Sequence, residues 1–95
     1  MSEETIKRQQ NKAKFQAIKS LRKVGYDIIR SDNEKVCVVA SRNTEVRIIR
    51  ICVDKVTAHD IAIVRDIHFP RIVQACREVW CLNGKDFTLQ EIAVK

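Results

Sequence analysis

The apolar positions of this chain follow a helical period in its first quarter and a strand period through most of the rest. From Glu4 to Val24 there is no glycine or proline, and apolar residues recur at intervals of three and four. This pattern predicts an amphipathic helix, with Gly25 as the cap at its end. The residues expected on its buried face are Ile6, Ala13, Phe15, Ala17, Ile18, Leu21 and Val24.

Three runs rich in β-branched residues follow this helix and predict three strands. Tyr26–Arg30 is expected to form a short strand, and the polar residues Ser31–Lys35 a turn. The next two strands are expected at Val36–Ala40 and Glu45–Val53, joined by the turn Ser41–Thr44.

A second helix is predicted after the third strand. Thr57 and Asp60 have the spacing of a capping box, so we expect the helix from about Ala58 to Ile67. It ends before Pro70, because proline disfavours helix in the residue that precedes it. Residues 71–76 fit either a short helical turn or a connector.

Asn83-Gly84 is the clearest turn signal in the chain, because this dipeptide tolerates the positive φ angles of a tight hairpin turn. It lies between two strand-like runs, Glu78–Leu82 and Phe87–Ile92. These runs are expected to pair with each other as the last two strands.

The two central strands are apolar on both faces. If Ala40 pairs with Glu45, then Cys37 lies opposite Ile48, and side chains alternate between the two sides of the sheet. One face then carries Cys37, Val39, Val46, Ile48, Arg50 and Cys52. The other carries Val36, Val38, Ala40, Ile49, Ile51 and Val53, with Glu45 and Arg47 near the turn. Both faces need a cover.

These elements predict an α/β fold of the three-layer α/β/α kind, in the order helix, strand, strand, strand, helix, strand, strand. The sheet is expected to be mixed, with about five strands in chain order and the fourth strand parallel to the third. The two helices are expected on opposite faces. A chain of 95 residues forms one domain, 1–95, in which residues 1–12 are prone to fray.

Charge is distributed unevenly along the chain. The formal net charge is +6 at pH 7. Residues 1–50 contain 12 Lys and Arg against 6 Asp and Glu, whereas residues 51–95 contain 6 against 6, so the whole surplus lies in the first half. Such a concentration favours a polyanionic partner, namely nucleic acid, an acidic protein or a membrane surface. The alternative is a solvated helix face that confers solubility.

Four cysteines, Cys37, Cys52, Cys76 and Cys81, lack both the CxxC spacing of a zinc site and the density of a secreted disulfide scaffold. Three of them lie in strand-like runs, where free cysteine behaves as a small buried apolar residue. The sequence implies no metal and no cofactor. Its polar N-terminal segment has no apolar run suited to export or membrane insertion, so we expect a reducing, cytoplasmic compartment and no membrane partner.

Four phrases of the sequence carry a resemblance to a known family. They are Gly25-Tyr26-Asp27-Ile28-Ile29-Arg30-Ser31, Cys37-Val38-Val39-Ala40, Arg47-Ile48-Ile49-Arg50-Ile51-Cys52 and Glu78-Val79-Trp80. Together they resemble the restriction-endonuclease-like, or PD-(D/E)XK, superfamily, particularly its small Holliday-junction-resolvase-like members. The resemblance covers roughly Ala13 to Ile92.

This resemblance implies a nuclease fold whose active-site residues have been exchanged. Cys37 stands where the family keeps its metal-binding Asp, Arg50 where it keeps a second acidic ligand, and Cys52 where it keeps a Lys. Neither a guanidinium nor a thiol can replace the oxygen ligands of Mg²⁺. No catalytic residue is therefore assigned, and metal-dependent cleavage is expected to be lost.

The leading hypothesis is a nucleic-acid-binding domain with a nuclease-like fold, and the resemblance favours DNA over RNA. The residues expected to contact phosphates are Lys7, Lys12, Lys19, Lys23, Arg30, Arg42, Arg47 and Arg50. Arg50 in particular is expected to hold a phosphate at the exchanged site. The aromatic residues Phe15, Phe69, Trp80 and Phe87 are expected in the core and not as stacking platforms for bases.

Three alternatives stay open. The first is a protein-interaction module or a homodimer subunit, which would pair through the edge strand that ends in Ile92-Ala93-Val94-Lys95. The second is an active nuclease whose carboxylates have moved to Asp27, Asp32, Glu34 or Glu45. The third is an enzyme that uses the thiol of Cys37 or Cys52.

Overall fold

A mixed five-stranded sheet lies between two helices in the computed structural model, which describes residues 3–68 and 75–93. The predicted α/β class, the order of the elements and the strand order are confirmed, since the sheet runs β1-β2-β3-β4-β5. The elements are α1 (Glu3–Lys23), β1 (Asp27–Asp32), β2 (Cys37–Arg42), β3 (Glu45–Val53), α2 (Ala58–Asp66), β4 (Ala75–Asn83) and β5 (Asp86–Glu91).

Strand directions follow from the lengths of the connections. Short turns join β1 to β2, β2 to β3 and β4 to β5, and each of these pairs is antiparallel. The connection through α2 makes β4 parallel to β3, as predicted. Of the ambiguous segment 71–76, residues 75 and 76 belong to β4. Residues 71–74, with Phe69 and Pro70, lie outside the described residues.

The register of the central hairpin differs from the predicted one by two residues. Arg42 pairs with Glu45, and Cys37 therefore lies opposite Arg50 and not opposite Ile48. The physical reason is a tighter turn, in which Asn43 adopts a φ of 56° and leaves only Asn43 and Thr44 unpaired. Because a shift of two residues preserves the alternation of side chains, the predicted composition of each face is unchanged.

Helix α1 covers one face of the sheet with a narrower stripe than predicted. Ala13, Ala17 and Leu21 are at most 1% exposed and pack against residues that include Val38, Ile49 and Trp80. The prediction was wrong for Ile6, Phe15 and Val24, which are 44%, 61% and 57% exposed. Phe15 lies midway in sequence between Ala13 and Ala17, which places it on the opposite side of a helix with 3.6 residues per turn.

The first half of α1 is attached to the turn between β1 and β2. Lys14 is fully buried, its ammonium donates to Asn33 Oδ1, and burial lowers the pKa of this lysine. Asn11 Nδ2 donates to the Asn33 carbonyl at 3.2 Å, and Lys7 lies 2.6 Å from Glu34. Residues 3–12 belong to α1, and the contacts of Lys7 and Asn11 connect this part of the helix to the turn. In the described part of the chain, neither helix is both long enough and apolar enough to cross a membrane.

Helix α2 covers the other face of the sheet. Val64 of the helix and Ile67, the residue that follows it, pack in a cluster with Ile48, Val79 and others. The predicted capping box is confirmed, because the Thr57 side chain accepts from Asp60 N and the Asp60 side chain accepts from Thr57 N. The sequence predicted an end at about Ile67 and the helix ends at Asp66, but the sequence did not indicate which group caps this end. Arg77 Nη1 on β4 donates to the carbonyls of Val64 and Ile67, each at 2.6 Å, and so satisfies acceptors that a helix C-terminus leaves free.

Candidate nucleic-acid interface

Cys37, Arg50 and Cys52, the three positions that the resemblance singled out, lie together on the face of the sheet that α2 covers. Cys37 and Arg50 are paired across β2 and β3, and Cys52 follows two residues along β3 on the same face. Cys37, Arg50 and Cys52 are 3%, 5% and 2% exposed. The alternation of the strands thus brings these residues together as expected, but the packed helix closes the place to solvent.

Arg50 is held by the protein itself. Its Nε donates to Asp60 Oδ1 at 3.0 Å, and its Nη1 donates to the Lys35 carbonyl. The other oxygen of Asp60 accepts from the backbone and the hydroxyl of Thr57, each at 2.8 Å. One carboxylate therefore caps α2 and neutralises Arg50. The expectation that Arg50 contacts a phosphate is corrected, because the guanidinium is buried and already paired.

The buried thiols are held in their protonated form. Burial raises the pKa of Cys37 to about 11, against an ordinary value of 9.0. Burial also raises the pKa of Cys52, which lies beside Cys81 in the parallel register of β3 and β4. A thiol attacks as its thiolate, so these environments suit core packing better than nucleophilic chemistry. Cys76 differs, because it is exposed on β4.

The carboxylates proposed as a relocated metal site are dispersed. Asp32 accepts hydrogen bonds from the backbone of Lys35 and Glu34, at 3.0 and 2.9 Å, and these bonds lower its pKa. Glu45 accepts from the Tyr26 hydroxyl at 2.6 Å, and Asp27 is exposed at the start of β1. Within residues 3–68 and 75–93, no group of three or more His, Cys, Asp or Glu is arranged to hold a metal ion.

Two of the predicted phosphate contacts form ion pairs at the surface. Lys7 lies 2.6 Å from Glu34, and Arg30 lies 3.4 Å from Asp32. An anion from solution would have to displace these carboxylates. Exposed pairs are worth only about 1 kcal/mol or less, so the competition is possible but these cations are not free.

Two other predicted contacts surround Tyr26 at the turn between β2 and β3. The Arg42 guanidinium lies 4.6 Å from the Tyr26 ring centroid and donates to the Val24 carbonyl at 2.9 Å. Arg47 lies 5.4 Å from the same ring, with Glu78 at 3.4 Å and Glu45 at 3.6 Å. Both guanidiniums are thus engaged by an aromatic ring and by neighbouring oxygen atoms, and neither projects freely into solvent.

The remaining predicted contacts share the outward side of α1. Lys12, Lys19 and Lys23 are exposed, and in the described part of the chain none of them has an acidic partner. Arg8 joins them, although it was not among the predicted phosphate contacts. Its position four residues before Lys12 is the signal that could have identified it. We call Arg8, Lys12, Lys19 and Lys23 the basic stripe, which extends roughly 22 Å along the helix at 1.5 Å per residue.

The cations of the basic stripe repel one another along the helix, and none forms an ion pair with a described residue. Arg8 and Lys12, and likewise Lys19 and Lys23, are spaced i,i+4 on the helix. Like charges at this spacing destabilise a helix by about 0.2–0.5 kcal/mol per pair. A polyanion lying along the helix would convert this repulsion into attraction.

No family model, curated protein or solved structure matches this chain.

We predict that Arg50→Met lowers the free energy of unfolding by about 3–5 kcal/mol, because it leaves the Asp60 carboxylate buried without its cation. Urea unfolding measures the change. Lys7→Met is the matched control, since it breaks an exposed ion pair and should cost about 1 kcal/mol or less. Equal stability of Arg50→Met and the unmodified protein would show that the Arg50–Asp60 pair does not hold α2 to the sheet.

We also predict that a thiol reagent at pH 8 modifies Cys76 rapidly and leaves Cys37, Cys52 and Cys81 protected until the protein unfolds. For Cys37, a pKa raised from 9.0 to about 11 lowers the thiolate fraction about a hundredfold, before the effect of burial on access. Mass spectrometry of labelled peptides measures this. Cys76→Ser should remove the fast phase, and rapid native labelling of Cys37 or Cys52 would instead favour thiol chemistry.

Proposed function

We propose that this chain is a nucleic-acid-binding domain that uses the outward side of α1 to contact phosphates. The observation that carries the proposal is the basic stripe, in which four cations on one helix face have no acidic partner among the described residues. Phosphate groups of a nucleic acid are spaced along a line, as these cations are. Contacts of this kind supply affinity and orientation without reading the base sequence.

The distribution of charge in the fold supports the same surface. Several cations next to the sheet are paired or buried, including Arg50 beside Asp60 and Arg47 beside Glu78. A line of unpaired cations therefore remains on the outward side of α1, where a long polyanion can approach it. DNA is the proposed partner before RNA, because the resemblance to the restriction-endonuclease-like superfamily points to DNA.

Loss of cleavage belongs to the proposal. The place where that superfamily keeps its metal ligands holds Cys37, Arg50 and Cys52, and α2 packs over all three. A metal-dependent hydrolysis needs both charge neutralisation at the phosphate and an activated water, and this arrangement offers no open position for either.

The cytoplasm is the proposed compartment, because the four cysteines are free and three of them are buried.

Reversing the charge of Lys12, Lys19 and Lys23 to Glu in one variant should weaken binding to all nucleic-acid sequences alike. The slope of log affinity against log salt should fall in magnitude by about 1 for each phosphate that the variant no longer binds. Fluorescence anisotropy over a salt series measures both effects. The matched control reverses Lys35, Lys55 and Lys85, which are also exposed and unpaired among the described residues, and should retain most of the affinity.

Equal decreases in affinity in the two triple variants would mean that net charge alone drives binding and that the basic stripe is not the interface.

A second candidate function is a homodimer subunit that pairs through a sheet edge. It becomes the better explanation if the unmodified protein binds neither duplex nor single strands at low salt. The sheet ends in the open edges of β1 and β5, and Ile29 and Leu89 are 57% and 49% exposed there. Light scattering would then be expected to show a homodimer.

We expect the purified protein to cleave neither DNA nor RNA in the presence of Mg²⁺ or Mn²⁺, because Cys37, Arg50 and Cys52 offer no oxygen ligand to either ion. Gel analysis of labelled strands after long incubation checks this expectation. Cleavage that a chelator abolishes, and that Asp27→Asn or Asp32→Asn also abolishes, would show that a relocated carboxylate set performs the chemistry.

A further inference from the structure

Phe15 is the most exposed large apolar residue of the described chain, at 61%. It lies within the basic stripe in sequence, three residues after Lys12 and four before Lys19. At 1.5 Å per residue, these two cations stand roughly 4.5 and 6 Å from Phe15 along the helix axis. An aromatic ring therefore stands in solvent with a free cation about one turn away on each side.

The ring is also held from one side. The ammonium of Lys14 lies over the Phe15 ring, 5.4 Å from its centroid. Lys14 is fully buried and donates to Asn33 Oδ1, so packing and this hydrogen bond hold the ammonium group in place. A cation over a ring face is attractive, so this contact favours one orientation of the ring. The exposed fraction of the ring stays open to a partner.

A flat apolar surface between cations fits an unpaired nucleobase better than a duplex. In a duplex the bases stack on one another, and a protein helix lying across the outside meets phosphates and sugars. An unpaired base can leave its stack and lie on an aromatic ring while the flanking phosphates reach lysine ammonium groups. The Phe15 ring would gain a partner only in the second case.

An acidic membrane surface also combines negative charge with apolar depth, but α1 fits it poorly. A helix that lies in a membrane interface buries a wide apolar face. The apolar face of α1, including Ala17 and Leu21, is already packed on the sheet. The residues beside Phe15 on the exposed side, Gln16 and Lys19, are polar.

We propose that Phe15 is a stacking platform for an unpaired base, and that the basic stripe consequently binds single-stranded nucleic acid in preference to duplex. The inference rests on the proposed function and adds the class of nucleic acid to it. Because every base has a flat π face, the preference should be for unpaired structure and not for sequence. A single-stranded segment beside a junction or a duplex end would satisfy it equally.

The test compares Phe15→Ala and Phe15→Trp with the unmodified protein. The probes are an oligodeoxythymidine of about 16 nucleotides, within the range of single-strand site sizes, and a blunt duplex of the same length. Phe15→Ala should weaken single-strand binding about 5- to 150-fold and change duplex binding by less than about twofold. Oligouridine should show the same dependence on Phe15, because stacking does not read the sugar.

Phe15→Trp should keep the affinity for single strands, and the fluorescence of its new indole should be quenched when a base stacks on it. A residue with a merely structural role would not give this signal. Val24→Ala is the matched control, since Val24 is a similarly exposed apolar residue just beyond α1 and should have no effect. Thermal unfolding of Phe15→Ala should be unchanged, because the side chain is exposed.

Equal decreases in affinity for single strand and duplex, or no decrease for single strand, would overturn the stacking role of Phe15. The weaker binding caused by reversing Lys12, Lys19 and Lys23 would then still support the proposed function. If neither oligonucleotide bound while vesicles of phosphatidylserine and phosphatidylcholine bound in a Phe15-dependent way, both proposals would fall in favour of a membrane surface. Absence of binding to every probe would overturn the proposed function, and the stacking role that rests on it would fall as well.

Discussion

The buried ion pair between Arg50 and Asp60 is the interaction on which the arrangement of this domain depends. It joins the middle of β3 to the first turn of α2, with 3.0 Å between Nε and Oδ1 and both side chains at most 6% exposed. Burying two charges costs free energy unless each is paired and hydrogen-bonded, and here both conditions are met. Asp60 also caps α2 through Thr57. A single carboxylate thus sets where the helix begins and where it rests on the sheet.

Closure of this face determines which cations of the chain are buried and which stay exposed. Since α2 lies over Cys37, Arg50 and Cys52, this face of the sheet is part of the core. Lys14 is buried on the other side of the sheet, with Asn33 as its partner. Two cations are therefore used inside the protein, whereas Arg8, Lys12, Lys19 and Lys23 stay exposed on the outward side of α1.

The cation inside the sheet and the cations on the helix have opposite physical roles. Arg50 is always charged, so its burial requires an anionic partner within the fold, and Asp60 is that partner. Lys12, Lys19 and Lys23 remain hydrated and repel one another along a helix that the core holds in place. The packed core fixes the spacing of these charges, and their lack of acidic partners among the described residues leaves them available to a polyanion.

Alternation and helical period determined much of this fold from the sequence alone. The seven elements, their order and the faces of β2 and β3 follow from local preferences that each segment satisfies by itself. The parallel β4 follows from the crossover connection through α2. The grouping of Cys37, Arg50 and Cys52 survived even an error of two residues in register, because the side-chain period of a strand is two. The position of Lys12, Lys19 and Lys23 on one face of α1 follows in the same way from the helical period of 3.6 residues.

The tertiary structure alone decided which polar groups meet. The pairing of Arg50 with Asp60 spans ten residues and two elements, and no local pattern indicates it. The burial of Lys14 depends on the turn at Asn33. The exposure of Phe15 depends on which row of side chains along α1 packs against the sheet. A spacing of three or four residues permits several apolar lines on one helix. Only packing against a particular sheet selects one of them, and that selection left Phe15 in solvent among the lysines.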